Sequence, residues 1–134
     1  SLLDRGQNLV ISNASFLYLD MPYAMHADEP GLPWAGYVNT KSIYNFDPLD
    51  CWALTAGQSS QVLGIQAQLW SETVFTTGLM DYYTFPRLLA VAERAWNKRP
   101  TQDRWPRFRQ ALITRELPHL SKLGVKYRPD ELEK

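Results

Sequence analysis

The amino-acid sequence predicts an α/β fold that is not closed on itself. Three observations lead there. Residues 62–72, "VLGIQAQLWSE", open as a buried strand and then alternate with period two. Besides these, "NLVISN" at 8–13 has strand character, and two amphipathic helical segments follow residue 84. Two strands can neither close a barrel nor make a self-sufficient sheet, so the 134 residues read as the end of something larger.

Taken in order, residues 1–7 look like the tail of a helix stopped by Gly6. Asn8 to Asn13 form the first strand, and "ASFLYLD" continues or bends from it, with Tyr18 and Asp20 two apart on one face. From Met21 to Ser60 periodicity is lost among Pro22, Pro30, Pro33, Pro48, Gly31, Gly36 and Gly57, with helical turns expected at 40–46 and 47–54. A connection this long, about 40 residues, points to a functional loop. The second strand spans 62–70. Its successive side chains alternate, so Gln66, Gln68, Trp70 and Glu72 share one side, while Ile65, Ala67 and Leu69 face a hydrophobic layer. Two readings fit that polar and aromatic stripe. One is a barrel strand whose inward face ends in a ligand pocket; the other is an edge strand with a wet face.

The remainder reads as helix. Thr84 caps a helix with Pro86 in its first turn and Leu88, Leu89, Ala92, Ala95 and Trp96 on its inner side, running to about Asn97. Asp103 caps the next, with Trp105, Phe108, Leu112 and Ile113 inward. Pro118 should kink it and Gly124 should stop it. "VKYRPDELEK" is a polar exit without a core of its own.

Composition narrows the functions. Fourteen Lys plus Arg balance 14 Asp plus Glu, which argues against a general electrostatic grip on nucleic acid or anionic membrane. No apolar run approaches the roughly 18 residues of a membrane span, and "SLLDRGQNLV" lacks the basic leader and apolar stretch of a signal peptide. The single cysteine, Cys51, cannot form an internal disulfide. No Cys/His cluster has metal-ligand spacing, and His26 and His119 read as loop or surface residues. Five Trp and seven Tyr are many for this length. Flat aromatic faces stack on the C–H faces of sugar rings and carboxylates accept bonds from sugar hydroxyls, so the composition leans towards carbohydrate, although Trp also fills cores.

"VISNASFLYLD", "GIQAQLWSE" and "FPRLLAVAERAW", in this order and spacing, resemble the C-terminal part of the catalytic barrel of family 20 glycoside hydrolases, the β-N-acetylhexosaminidases and chitobiases. The similarity runs from about Asn8 to Arg128. "YLDMPY" and the Trp of "LPWAGY" resemble the bacterial, chitobiase-like members. The resemblance implies a (β/α)8 barrel of which residues 1–128 are about the last two strand–helix units, followed by an exit or linker at 129–134. It implies hydrolysis of terminal β-linked N-acetylglucosamine, or N-acetylgalactosamine, from chitooligosaccharides or glycans, with no cofactor. The implied mechanism is retaining and substrate-assisted, run by an adjacent Asp-Glu pair in a Gly-Gly-Asp-Glu-like context on an earlier strand. That context is absent here. Asp28-Glu29, in a Pro/Gly loop, and Asp130-Glu131, in the polar tail, read as solvated charges. The chain alone is therefore expected to be inactive and to need the rest of its barrel. Many bacterial members are exported, which implies a periplasmic, cell-surface or secreted setting.

Carried over residue by residue, Tyr18 matches the tyrosine whose hydroxyl bonds the substrate acetamido oxygen. Asp20 and Glu72 match carboxylates that bind the hydroxyls at C4 and C6. Trp70 matches the tryptophan under the terminal sugar. Trp34 matches the loop tryptophan that stacks the next sugar; simple loop packing is its other reading. Gln66 and Gln68 would face into the barrel below the pocket. Trp96 and Trp105 read as helix packing, and Glu93 with Arg94 as a structural ion pair or as bonds near the barrel. Cys51 and Trp52 carry no assignment. Two other classes remain open: a stand-alone carbohydrate-binding module, and a different glycosidase using Asp20 and Glu72 as its own acid pair.

Overall fold

A computed structural model describes residues 2–50, 54–97, 104–128 and 132. A 3₁₀ turn at Leu3–Arg5 ends on Gly6, whose φ of 74° and N–H bond to Leu3 O make it the predicted stop. Strand β1 (Leu9–Ile11) pairs in parallel with β2 (Val62–Ile65), in the register Leu9↔Val62, Val10↔Gly64 and Ile11↔Ile65 with one irregularity after Leu9. Between them lie α1 (Ala14–Leu17), α2 (Thr40–Asn45) and α3 (Ala56–Ser59), each opened by a side-chain cap from Asn13, Asn39 and Thr55 respectively. After β2 come α4 (Thr77–Thr84), α5 (Arg87–Trp96), α6 (Trp105–Ala111) and α7 (Leu117–Lys122).

Both strands are shorter than the sequence predicts, yet their backbones stay together beyond β1 and β2. Gln66 N–H donates to Ile11 O at 2.9 Å; α1 then interrupts β1 for one turn. Pairing resumes as a bridge between Tyr18 and Gln68, where Gln68 N–H donates to Leu17 O at 3.0 Å and Leu19 N–H to Gln68 O at 2.7 Å. "ASFLYLD" thus bends into a helical turn and comes back to the sheet. Ser12 Oγ bonds the Gln68 side chain and donates to Gln66 O at 2.9 Å, bridging the interruption.

The core gathers Ile11, Leu17, Leu19 and Met21 from the first strand region, Val38, Ile43, Tyr44 and Phe46 around α2, and Ala90, Val91, Trp105, Leu112, Leu117 and Leu120 from the helices. Ile65, Ala67 and Leu69 pack against it, on the side the alternation predicts. Leu132 is buried there too, so the polar exit does contribute to the core; 129–131 and 133–134 lie outside the described residues.

The helices after β2 differ from expectation in two respects. Thr84 closes α4, its hydroxyl donating to Met80 O at 2.7 Å, and so does not open α5. The buried face of α5 is Arg87, Ala90, Val91 and Arg94; of the residues expected inward Leu89 packs against the core, while Leu88, Ala92 and Ala95 point outward and Trp96 is 88% exposed. At 3.6 residues per turn this is a rotation of roughly 140° from the face chosen by hydrophobicity. The reason is polar. Arg87 is fully buried and its Nη1 donates to Met21 O at 2.7 Å and Val38 O at 2.8 Å, its Nε to Tyr83 O at 2.9 Å and its Nη2 to Leu19 O. Its guanidinium carbon lies 3.7 Å from the Tyr23 ring centre. Arg94 Nε likewise donates to Phe46 O at 2.9 Å. Apart from Tyr83, in the last turn of α4, these carbonyls belong to irregular chain, and buried carbonyls need donors.

Trp105 is buried against Tyr44 and Phe108, as the spacing predicts; the proposed cap at Asp103 lies outside the described residues. Pro118 does not break the helix. A π-helical turn at Leu112–Glu116 precedes it and contains Thr114, whose carbonyl would have received the N–H that proline lacks. Gly124, at φ 75°, ends α7 with its N–H on Ser121 O.

Glu29 corrects another expectation. Asp28 is solvated, but the Glu29 side chain is only 5% exposed and pairs with Arg128 at 2.9 Å. It also accepts from Tyr82 Oη at 3.0 Å. Burial, and then the Glu29 carboxylate, raise the Tyr82 pKa above its usual value. Asp130-Glu131 lies outside the described residues, as do Cys51 and Trp52.

Arg87→Met is expected to destabilise the full-length protein by about 3 kcal/mol or more, because several buried carbonyls lose their donor at once. Arg87→Lys should recover only part, since an ammonium cannot reproduce the planar fork. Thermal unfolding checks this; a melting temperature unchanged in Arg87→Met would contradict it.

Candidate functional site

The C-terminal ends of the two paired segments open into a cleft of about 380 Å³ lined by Tyr18, Asp20, Leu32, Trp34, Trp70, Glu72 and Thr73. All five residues singled out from the sequence are among them. They come from three places: the end of the first strand region, the long loop, and the segment after β2. The Tyr18–Gln68 bridge sets the two strand ends side by side, so that Tyr18 and Asp20 on one chain face Trp70 and Glu72 on the other.

Tyr18 stands between two tryptophans. Its ring meets Trp34 edge-on at 5.9 Å and Trp70 at 5.8 Å between centres. Trp34 is 66% exposed and Trp70 46%, so each offers a free aromatic face. Asp20 is only 7% exposed, and its Oδ1 accepts the Trp70 backbone N–H at 3.4 Å, which ties the two walls together. Glu72 stands exposed at the rim. Gln68 is held by Ser12 beneath the cleft, whereas Gln66 is exposed in this chain.

Gly31 places the third wall. Its φ is 114°, and a Cβ there would lie 2.7 Å from Asp20 O and 2.9 Å from Pro22 N. Only glycine lets the loop press this closely on the backbone of Asp20, which brings Leu32 and Trp34 over the cleft. Sequence reasoning missed Gly31, Leu32 and Thr73 as contributors. The signal for the first was present in "EPGLPW", a glycine between prolines.

The lining has a clear chemical character: aromatic faces, two carboxylates, a phenol and a hydroxyl, with no cationic side chain among the described residues. Such a surface suits a neutral ligand with apolar faces and many hydroxyls, and disfavours an anion. Among the described residues no group of three His, Cys, Asp or Glu is placed to hold a metal ion. Nor, among them, is any helix long and apolar enough to cross a membrane. Glu93 lies elsewhere, in a separate depression of about 340 Å³ with Tyr44, Arg104, Arg107 and Phe108.

Comparison with known proteins follows the same lines. Residues 1–99 match the profile described as glycosyl hydrolase family 20, catalytic domain. A beta-N-acetylhexosaminidase of Cellulomonas fimi is 30% identical over 122 residues, covering 91% of this chain and 24% of that protein. The crystal structure of a GH20 exo beta-N-acetylglucosaminidase from Vibrio harveyi, in complex with N-acetylglucosamine, superposes with a TM-score of 0.82 at 34% identity, covering 95% of this chain and 20% of that one. A GH20 beta-N-acetylhexosaminidase from Streptomyces coelicolor A3(2) gives 0.85 at 33% identity, covering 98% and 26%. The chain spans about a fifth of the length of the curated relatives it matches.

A neutral sugar bound in the cleft should change tryptophan emission. Titrating the full-length protein with neutral monosaccharides is expected to give a saturable change, reduced in Trp70→Phe and, to a lesser degree, in Trp34→Phe. An unaltered spectrum at millimolar sugar would count against the cleft as a binding site.

Proposed function

The chain belongs to glycosyl hydrolase family 20, and from that premise we propose that it supplies the sugar-binding wall of a β-N-acetylhexosaminidase built on a (β/α)8 barrel, of which it forms about the last two strand–helix units. The substrate is a glycan or chitooligosaccharide ending in β-linked N-acetylglucosamine, with N-acetylgalactosamine as a possible second sugar. What supports the reading is that Tyr18, Asp20, Trp34, Trp70 and Glu72, from distant segments of the chain, line one cleft with no cationic side chain among the described residues.

In this reading the terminal sugar lies on Trp70. The Tyr18 hydroxyl donates to the acetamido oxygen and holds it against the anomeric carbon. That oxygen attacks C1 as the bond to the leaving oxygen breaks, giving an oxazolinium-like intermediate; water then opens it with net retention. Asp20 and Glu72 accept hydrogen bonds from the C4 and C6 hydroxyls, and Trp34 carries the next sugar. The Asp-Glu pair that steadies the acetamido group, protonates the leaving oxygen and activates the water comes from elsewhere in the polypeptide. Glu29 does not serve, since Arg128 and Tyr82 already hold its carboxylate.

Two measurements test this. The isolated chain should not turn over a chromogenic β-N-acetylglucosaminide. Turnover that survives purification and is lost in Asp20→Ala or Glu72→Ala would instead make these two an acid pair of their own.

In the full-length protein, Glu72→Gln keeps the shape but gives up a charge-assisted bond worth about 1.5–3 kcal/mol. That predicts a fall in kcat/KM of about ten- to a hundredfold with little change in melting. Glu93→Gln, outside the cleft, should alter stability more than turnover. Unchanged kinetics with a lower melting temperature in Glu72→Gln would make Glu72 a structural acid.

A further inference from the structure

Tyr83 is fully buried on α4, and its hydroxyl lies 3.0 Å from Thr73 Oγ1. Thr73 lines the cleft next to Glu72. The two sit in a short turn closed by Val74 N–H on Ser71 O at 3.1 Å, between Trp70 and the cap of α4. A buried tyrosine satisfied by backbone needs no other explanation. Tyr23 is of that kind, its hydroxyl donating to the carbonyls of Tyr82 and Phe85 at 2.9 Å each. Tyr83 differs, because its hydroxyl reaches a side chain on the wall of the cleft.

The other end of the same residue is also engaged. Tyr83 O accepts from Arg87, and Arg87 donates to the carbonyls of Leu19 and Met21, the neighbours of Asp20 on either side. One buried unit therefore touches both walls: the Glu72 wall through the Tyr83 hydroxyl and the Asp20 wall through the guanidinium.

We infer that Tyr83 is a positioning residue, whose hydroxyl fixes the 71–74 turn and thereby sets Glu72 across from Asp20 for the sugar. Buried phenylalanine would fill the same space without the bond, so the hydroxyl alone carries the role. A side chain holding Glu72 in place before the sugar arrives removes an ordering cost from binding. The inference deepens the sugar-binding role proposed above and rests on it for its kinetic consequence, though not for its structural one.

Two readouts on the full-length protein separate these. In Tyr83→Phe, amide hydrogen exchange across 71–74 should quicken while global stability stays close to wild type. With a chromogenic β-N-acetylglucosaminide, kcat/KM should fall by about three- to tenfold, the size of one neutral hydrogen bond. Thr73→Val should fall equally, Thr73→Ser should recover most of that loss, and Tyr83→Phe/Thr73→Val should be no worse than either single change. Unchanged exchange at 71–74 with unchanged kinetics would overturn the inference, as would additive losses in the double variant. Should Tyr83→Phe not fold, the Thr73 pair decides: loss in Val with recovery in Ser supports the inference, and equal activity refutes it. A wild-type protein without turnover would sink the hexosaminidase reading, while the exchange measurement would still decide the positioning.

Discussion

The Arg87 guanidinium is the constraint on which the rest of the structure depends. It sits at the start of α5 and reaches carbonyls of Leu19, Met21, Val38 and Tyr83, which belong to the end of the first strand region, the exit of the long loop and α4. None of those carbonyls has a strand neighbour to bond. A cation fully out of water is costly unless its donors are used, and here the cost and the need offset each other. The consequence is geometric. The chain around Asp20 cannot shift without breaking bonds that also hold α4 and the far end of the loop.

Around that point the cleft is built by two devices of different reach. The parallel pairing, interrupted by α1 and resumed at Tyr18–Gln68, aligns the two strand ends. The loop is then set by local contacts: Gly31 against the backbone of Asp20, and the Glu29–Arg128 pair under the loop's first half. Arg128 also lies 4.8 Å from the centre of the Tyr23 ring, the same ring that Arg87 meets at 3.7 Å. Thus the segment that carries Leu32 and Trp34 is anchored through Glu29 and Gly31 to buried structure, while its tip remains exposed.

What the sequence made legible follows from how far each cause extends along the chain. The strand alternation, Gly6, Gly124 and the Trp105–Phe108–Leu112 face are local patterns, and they reappear in the fold. The five cleft residues were legible because they sit in short motifs with chemistry of their own. Helix α4 was missed, since "TGLMDYYT" carries a glycine in its first turn and only Tyr83 buried within it. The inner face of α5 was misjudged because it is chosen by carbonyls on distant residues, which hydrophobic spacing does not register. Glu29 read as a solvated charge because its partner is 99 residues away.

The same distribution of causes explains why support and contact can be separated here. Most interactions that shape the cleft use backbone or largely buried groups: Arg87 on carbonyls, the Trp70 N–H on Asp20, a glycine pressed on a peptide. The groups left to meet a ligand are side chains with free surface, namely the faces of Trp34 and Trp70 and the carboxylate of Glu72. Loss of a group as central as Arg87 leaves several buried polar atoms without partners and is felt by the whole molecule. Loss of a contacting group exposes nothing new and is felt by the ligand alone. Asp20 belongs to both sets, since it is buried, accepts a backbone N–H and lines the cleft. Under the proposed function it is therefore the residue at which stability and binding are coupled, whereas Glu72, two residues beyond Trp70 and without such a backbone bond, is where they part.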